Sequence, residues 1–239
     1  MKKKIVRIIA IVLLIALALS LFPMAAMAAE VDTATEIPET LEEIDMSIQD
    51  GKIIVDSIPR YYQNYFFYSF LPYGSGTLGS SGCGITCMAM VATYILNDYT
   101  LTPDRLAEEF GTYKGTNLDR MEAAAEAYNI PYEKTYKWAK VVSALEEGKF
   151  AIVMVNEASN FTEGQHLIVV TGIKDDKIFI NDPNYRNREV MGDKFEKGFE
   201  QWEVIEGFSG AWIFEKELPE TELNSILDNI PETMPKGEL

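Results

Sequence analysis

The sequence predicts an α+β fold, with a helical N-terminal half packed on an antiparallel sheet. Two observations carry that expectation. Between Cys83 and Glu147, apolar residues recur at helical spacing and helix-start signals repeat. After Phe150 the chain changes to short, branched, apolar runs that end in turn residues. A third observation concerns chemistry: the chain holds one histidine, His166, and it opens the run His-Leu-Ile-Val-Val-Thr-Gly-Ile. Any histidine base must act from that strand end.

The elements follow in order. Lys2, Lys3, Lys4 and Arg7 precede an apolar stretch, Ile8 to Leu21, and Ala26-Met27-Ala28 is a small-x-small cleavage site. Residues 1–28 therefore read as an export signal. The alternative, an uncleaved anchor, calls for a longer apolar run. Residues 29–50 are acidic and poor in aromatics, and read as a flexible leader. Lys52–Val55 is a short strand, followed by the aromatic-dense stretch Tyr61 to Phe70. Pro72-Tyr73-Gly74 to Gly82 reads as a loop. Cys83–Leu96 is a buried central helix, with Cys87, Met90, Val91 and Tyr94 at helical spacing. Thr102 and Pro103 start a second helix. Asn117 caps a third, which runs to about Tyr128, and Trp138–Glu147 is a fourth, closed by Gly148. Strands are expected at 150–155, 166–173, 177–182 and 211–214. The domain is thus placed at 51–216, with an acidic tail at 217–239.

Composition excludes several partners. Removal of residues 1–28 leaves 211 of the 239 residues, enough for one well-packed domain. Those 28 residues carry four basic and no acidic side chains, so the net charge falls from −16 to −20. Such a chain repels nucleic acid and anionic membranes. We expect no nucleic-acid partner, no stable membrane association after cleavage, and a secreted or cell-surface monomer. Two cysteines and one histidine are too few for a typical zinc site. No phosphate-binding Gly-x-x-x-x-Gly-Lys-Ser/Thr is present. Neither metal nor cofactor is expected.

The candidate site joins four residues. Cys83, in Ser-Ser-Gly-Cys-Gly-Ile-Thr-Cys, sits at a helix start, where unpaired N–H groups and positive potential favour a thiolate. Gly82 and Gly84 are expected to leave room for a substrate backbone. Cys87, one turn on, is a core residue, and a disulfide between cysteines four apart on a helix is geometrically awkward. A three-residue hairpin loop, Lys174-Asp175-Asp176, pairs Ile168 with Asp182. That sets Asp182 diagonal to His166 on one face, where a carboxylate fixes the imidazole tautomer. A two-residue loop would separate them. Asp-Pro-Asn is also plain turn chemistry. Gln63 is an amide able to donate to an oxyanion. Ser80, Ser81 and Thr86 are less favourably flanked nucleophiles.

Gln63, Pro72-Tyr73-Gly74, Ser-Ser-Gly-Cys83-Gly-Ile-Thr-Cys, Gly-Gln-His166-Leu-Ile-Val-Val-Thr-Gly and Ile-Asn-Asp182-Pro-Asn together resemble one family. It is the papain-like peptidases related to the bacteriocin-processing, double-glycine leader peptidases. The resemblance spans about residues 56–215. It implies a papain-like fold, with Cys83 as nucleophile, His166 as base, Asp182 as orienting residue, Gln63 in the oxyanion hole, and a peptide or protein substrate. Two departures stand out: Gln63 lies 20 residues before Cys83, and Ile85 takes a position often held by proline. Two rival functions remain. NlpC-type cell-wall endopeptidases often use a second histidine, which this chain lacks. A papain-like shell can also serve as a catalytically silent binding domain.

Overall fold

The computed structural model of the protein describes residues 46–49 and 52–216. The signal (1–28), most of the leader and the tail (217–239) lie outside the described residues. Met46–Gln49 (β1), which composition places in the acidic leader, pairs antiparallel with Lys52–Val55 (β2).

Aromatic coil then leads to a small hairpin, Pro72–Tyr73 (β3) with Gly76–Thr77 (β4), where the sequence suggests only a loop. The turn needs Gly74, whose φ of +60° is a left-handed conformation. The Arg120 guanidinium packs over the Tyr73 ring, 5.5 Å from its centroid, and holds the hairpin against the domain. Leu78–Ser81 (α1) follows, then the central helix Cys83–Leu96 (α2). Ten of the fourteen residues of α2 are buried, so it is covered on all sides. Asn97 ends it in the left-handed conformation that asparagine tolerates, with φ +55°. Thr102 precedes Pro103–Phe110 (α3), as expected. The cap of Asn117–Ala127 (α4) is Thr116, one residue before the expected Asn117. Thr116 forms a capping box with Asp119, the stronger signal because both orphan donors are met.

The sheet is antiparallel and six-stranded, in the order Glu133–Thr135 (β5), Phe208–Phe214 (β10), Phe150–Val155 (β6), His166–Lys174 (β7), Lys177–Asn181 (β8) and Phe199–Glu200 (β9). One face carries Phe150, Ile152, Leu167, Val169, Trp212 and Phe214 into a core shared with α2, α3 and α4. The other face carries Ala151, Val153, Ile168, Val170, Ile178 and Ile213 into a second core. Trp138–Glu146 (α5) covers that second core, so the fourth helix does not belong to the helical layer. The reason is in the strands. They are apolar on both faces, and each face needs cover. Tyr185–Met191 (α6), Lys194–Lys197 (α7) and Trp202–Ile205 (α8) fill the stretch before β10, where the sequence shows no clear period.

Candidate active site

Cys83 is the first residue of α2. Its N-cap, Gly82, makes no side-chain hydrogen bond to the helix, so no cap side chain competes for the first N–H groups. Of the flanking glycines, Gly82 is required by close packing within the protein. A Cβ at Gly82 would stand 2.4 Å from the Leu78 carbonyl oxygen. One at Gly84 would make ordinary contact with Leu167 at 3.4 Å and the Asn117 carbonyl at 3.5 Å. Both glycines are buried, and their room is used by the protein itself. Cys83 is partly exposed and Cys87 is buried; both are free thiols. The Cys87 thiol donates to the Leu167 carbonyl at 3.3 Å. Burial, with the charges of Cys83 and Asp182 behind it, pushes the Cys87 pKa well above its ordinary value. Cys87 is therefore a core residue.

His166 begins β7, and Asp182 follows the last residue of β8. Their alignment comes about differently from the sequence reading. The loop has two residues, Asp175 and Asp176, both with positive φ, and Lys174 pairs with Lys177. A regular ladder from that loop would put His166 and Asp182 on opposite faces. Thr171 prevents this. It is an extra residue between the pairs Gly172↔Phe179 and Val170↔Ile180, a β-bulge that restores the parity. Below the bulge Val169 faces Asn181, and continued register sets Ile168 opposite Asp182. The expected diagonal is reached by a shorter loop and a bulge.

His166 Nε2 and Asp182 Oδ1 are 2.7 Å apart. The Asp182 side chain has no solvent exposure. Burial, the largest influence on the ring, pulls its pKa down. The charge and hydrogen bond of Asp182 push it up, as do a hydrogen bond and charge from Cys83. The ring ends at about 10, raised from 6.5. The ring thus lies between the Asp182 carboxylate and the Cys83 sulfur, which together favour its charged form. Nε2 is committed to Asp182, which leaves Nδ1 for Cys83.

The turn after β8 gathers the rest. Asp182 Oδ1 also accepts from the Asn184 N–H at 2.7 Å, an Asx turn. Asp182 thus makes the turn that Asp-Pro-Asn suggests and bonds the His166 ring through the same oxygen. The Pro183 carbonyl accepts from the Gln63 backbone N–H at 2.8 Å. Asn64 and Asn184 are joined by their amides at 3.2 Å, and the Tyr185 N–H donates to the Asn64 amide oxygen. On its other side, Gln63 Nε2 donates to the Gly79 carbonyl at 2.8 Å. Gln63 is therefore clamped between the residue after Asp182 and the helix that leads to Cys83. Its Oε1 is buried without a hydrogen-bond partner among the described residues.

The structure thus brings all four expected residues together. It gives the alternative nucleophiles other tasks. Ser80 completes the α1 capping box with Thr77, Ser81 shares a hydrogen bond with Ser80, and Thr86 is fully buried. The aromatic stretch divides: Tyr61, Tyr62 and Tyr68 enter the core, while Phe66, Phe67 and Phe70 are about two-thirds exposed, at 65%, 68% and 65%. Sequence reading misses Asn64, Asn184 and Asn187, since nothing local sets these asparagines apart from surface ones. No cluster of three potential metal ligands occurs among the described residues. No helix among them is long and apolar enough to cross a membrane.

An α+β domain with a cysteine opening its buried central helix, beside a histidine on an antiparallel sheet, has the organisation that the papain-like resemblance implies. A model of the Peptidase_C39 like family matches residues 55–209, and the chain belongs to that family. Among solved structures, the chain is similar to one described as a C39-like peptidase from Bacillus anthracis, at 16% identity and a TM-score of 0.40. That match covers 69% of this chain and 98% of the other. It is similar also to the peptidase domain of Streptococcus ComA, a bifunctional ABC transporter, at 18% identity and a TM-score of 0.42, covering 56% and 90%. No curated protein matches the chain.

Proposed function

We propose that the protein is an exported cysteine peptidase that hydrolyses peptide bonds with Cys83, His166, Asp182 and Gln63. The observation that carries this reading is the His166 ring, bonded to Asp182 through Nε2 at 2.7 Å, with Cys83 close enough to act on its charge. The Cys83 thiolate attacks the peptide carbonyl, and a C–S bond forms as the carbonyl π electrons move to oxygen. Gln63 Nε2 and the Cys83 backbone N–H hold that oxyanion. Gln63 Nε2 spends one hydrogen on Gly79 and keeps the second for this purpose. The tetrahedral intermediate collapses, the C–N bond breaks, and the His166 imidazolium gives its proton to the leaving amine. The neutral imidazole then takes a proton from water, and the hydroxide attacks the thioester. The acid leaves, and thiolate and imidazolium are restored. Asp182 keeps the ring in its tautomer and stabilises its charge.

On this reading the substrate is a peptide or protein, and the enzyme acts as a monomer outside the cell. Nucleic acid and membrane are not partners. The test compares wild type, Cys83→Ala and Cys87→Ala, treated with iodoacetamide at about pH 5 to 9, on either side of neutrality. Mass spectrometry locates the adduct, and a diverse peptide mixture reports cleavage. Fast alkylation of Cys83 on the acid side, with cleavage lost only in Cys83→Ala, is the expected result. Slow alkylation at both cysteines and no cleavage would overturn the peptidase reading and favour a silent binding domain.

A further inference from the structure

We propose that Asn187 is a positioning residue for this reaction: its amide locks the Asp182 carboxylate, and through it the His166 ring, in one orientation. The inference rests on the peptidase reading of Cys83, His166 and Asp182.

Asn187 lies in α6, five residues beyond Asp182. Its Nδ2 donates to Asp182 Oδ2 at 2.7 Å and to the Phe161 carbonyl at 2.8 Å. Both partners accept only. A flipped amide would set its oxygen against two oxygens, so the orientation is fixed by chemistry. Both amide hydrogens are spent in this way.

The carboxylate needs that second anchor. Asp182 Oδ1 already serves His166 and the Asn184 N–H. With Oδ1 alone held, the terminal torsion of an aspartate is broad, and the group turns about it. The bond from Asn187 to Oδ2 removes this freedom. Water is a poor replacement, because the Asp182 side chain has no exposed surface. The same amide reaches the segment that delivers the histidine. Phe161 is 2% exposed and lies between β6 and β7, five residues before His166. One side chain thus ties the acid to the approach of the base. A carboxylate turned away from Nε2 no longer selects the tautomer that leaves Nδ1 for Cys83.

The chain's single histidine makes the test direct. The full-length protein is labelled with ¹⁵N-histidine, and solvent exchange of the His166 Nε2 proton is followed by NMR. Wild type is expected to protect this proton, and Asp182→Ala sets the released limit. Asn187→Ala and Asn187→Leu, the second of which keeps the volume without the donors, should exchange at least about tenfold faster than wild type, and kcat should fall by roughly tenfold with KM unchanged. Exchange equal to wild type in both variants, with only the melting temperature lowered, would overturn the proposal and leave Asn187 a structural brace. An unprotected proton in wild type would overturn it as well. Protection lost as expected in a protein that cleaves no peptide would sink the peptidase reading and leave the lock standing.

Discussion

Replacement of Asp182 by asparagine keeps the shape of the side chain and removes its charge. The ring of His166 responds, because its pKa is a contest between burial and two partners. Burial pulls it down, and the charge and hydrogen bond of Asp182, with those of Cys83, carry it from 6.5 to about 10. The comparison is cleanest on a Cys83→Ala background, where Asp182 alone is left to oppose burial. There Asp182 should hold the ring above the value it takes when Asp182→Asn is added, and the double variant, with burial left unopposed, should titrate below 6.5. NMR titration of the one histidine reads this without assignment. Stability follows with a definite sign. A raised folded pKa gives a contribution fully present below 6.5 and lost as pH climbs through about 10. A depressed folded pKa gives one present above 6.5 and lost as pH falls through the depressed value. The His166-linked parts of the two melting profiles therefore slope in opposite directions. A double variant whose ring still titrates near 10, or a wild-type ring titrating near 6.5, would refute the account of what charges this histidine.

Two further substitutions probe how the site is built. Gly82→Ala drives a methyl into the Leu78 carbonyl at 2.4 Å and should destabilise by about 1–3 kcal/mol in denaturant unfolding. It should also slow alkylation of Cys83 by shifting the first turn of α2; a stable variant with unchanged labelling would show that the close approach is tolerated. Deletion of Thr171 removes the bulge while the two-residue turn remains. Val170 then adjoins Gly172 directly and keeps its pairing with Ile180, so His166 and Asp182 stay on one face and the ring should keep its raised pKa in the same titration. A ring that loses it would mean that the distortion at Thr171, and not the register beyond it, sets the site.

Much of the framework is legible because local chemistry agrees with the tertiary result. The start of α2 at Cys83, Thr102 before Pro103, and the three central strands all follow from cap residues and period. The side of the sheet on which α5 packs is not legible. Its amphipathic pattern shows a face to bury, and either face of a doubly apolar sheet would take it. The cap of α4 is a matter of competing signals, since both Thr116 and Asn117 suit the role and only the reciprocal bonds of Asp119 decide between them. The hairpin is the most instructive difference. The expected meeting of His166 and Asp182 is reached, yet the turn is one residue shorter than expected and a bulge makes up the difference. Two departures of one residue each cancel. No periodicity reports a bulge, because Thr171 is an ordinary strand residue whose extra place is defined only by the partner strand.

The site itself is legible as a list and hidden as an assembly. Cys83, His166 and Asp182 stand out by type and neighbours, whereas Gln63, alone no different from a surface glutamine, is singled out by the family resemblance. What holds them spans the chain: Asn64 meets Asn184 and Tyr185 across about 120 residues, and Gly79 meets Gln63. These are bonds between polar groups common on any surface, so their meaning lies only in where the fold puts them. They converge on residues 182–187. Asp182 takes the ring, Pro183 takes the Gln63 backbone, Asn184 closes the turn, and Asn187 holds the free carboxylate oxygen. One short turn therefore sets both the His166 ring and Gln63, the proposed base and oxyanion donor, relative to the strand end. Cys83 arrives separately, on α2. Bringing Cys83 to that turn requires α2 to be docked on the sheet, so the site can be complete only when the two halves of the domain have packed.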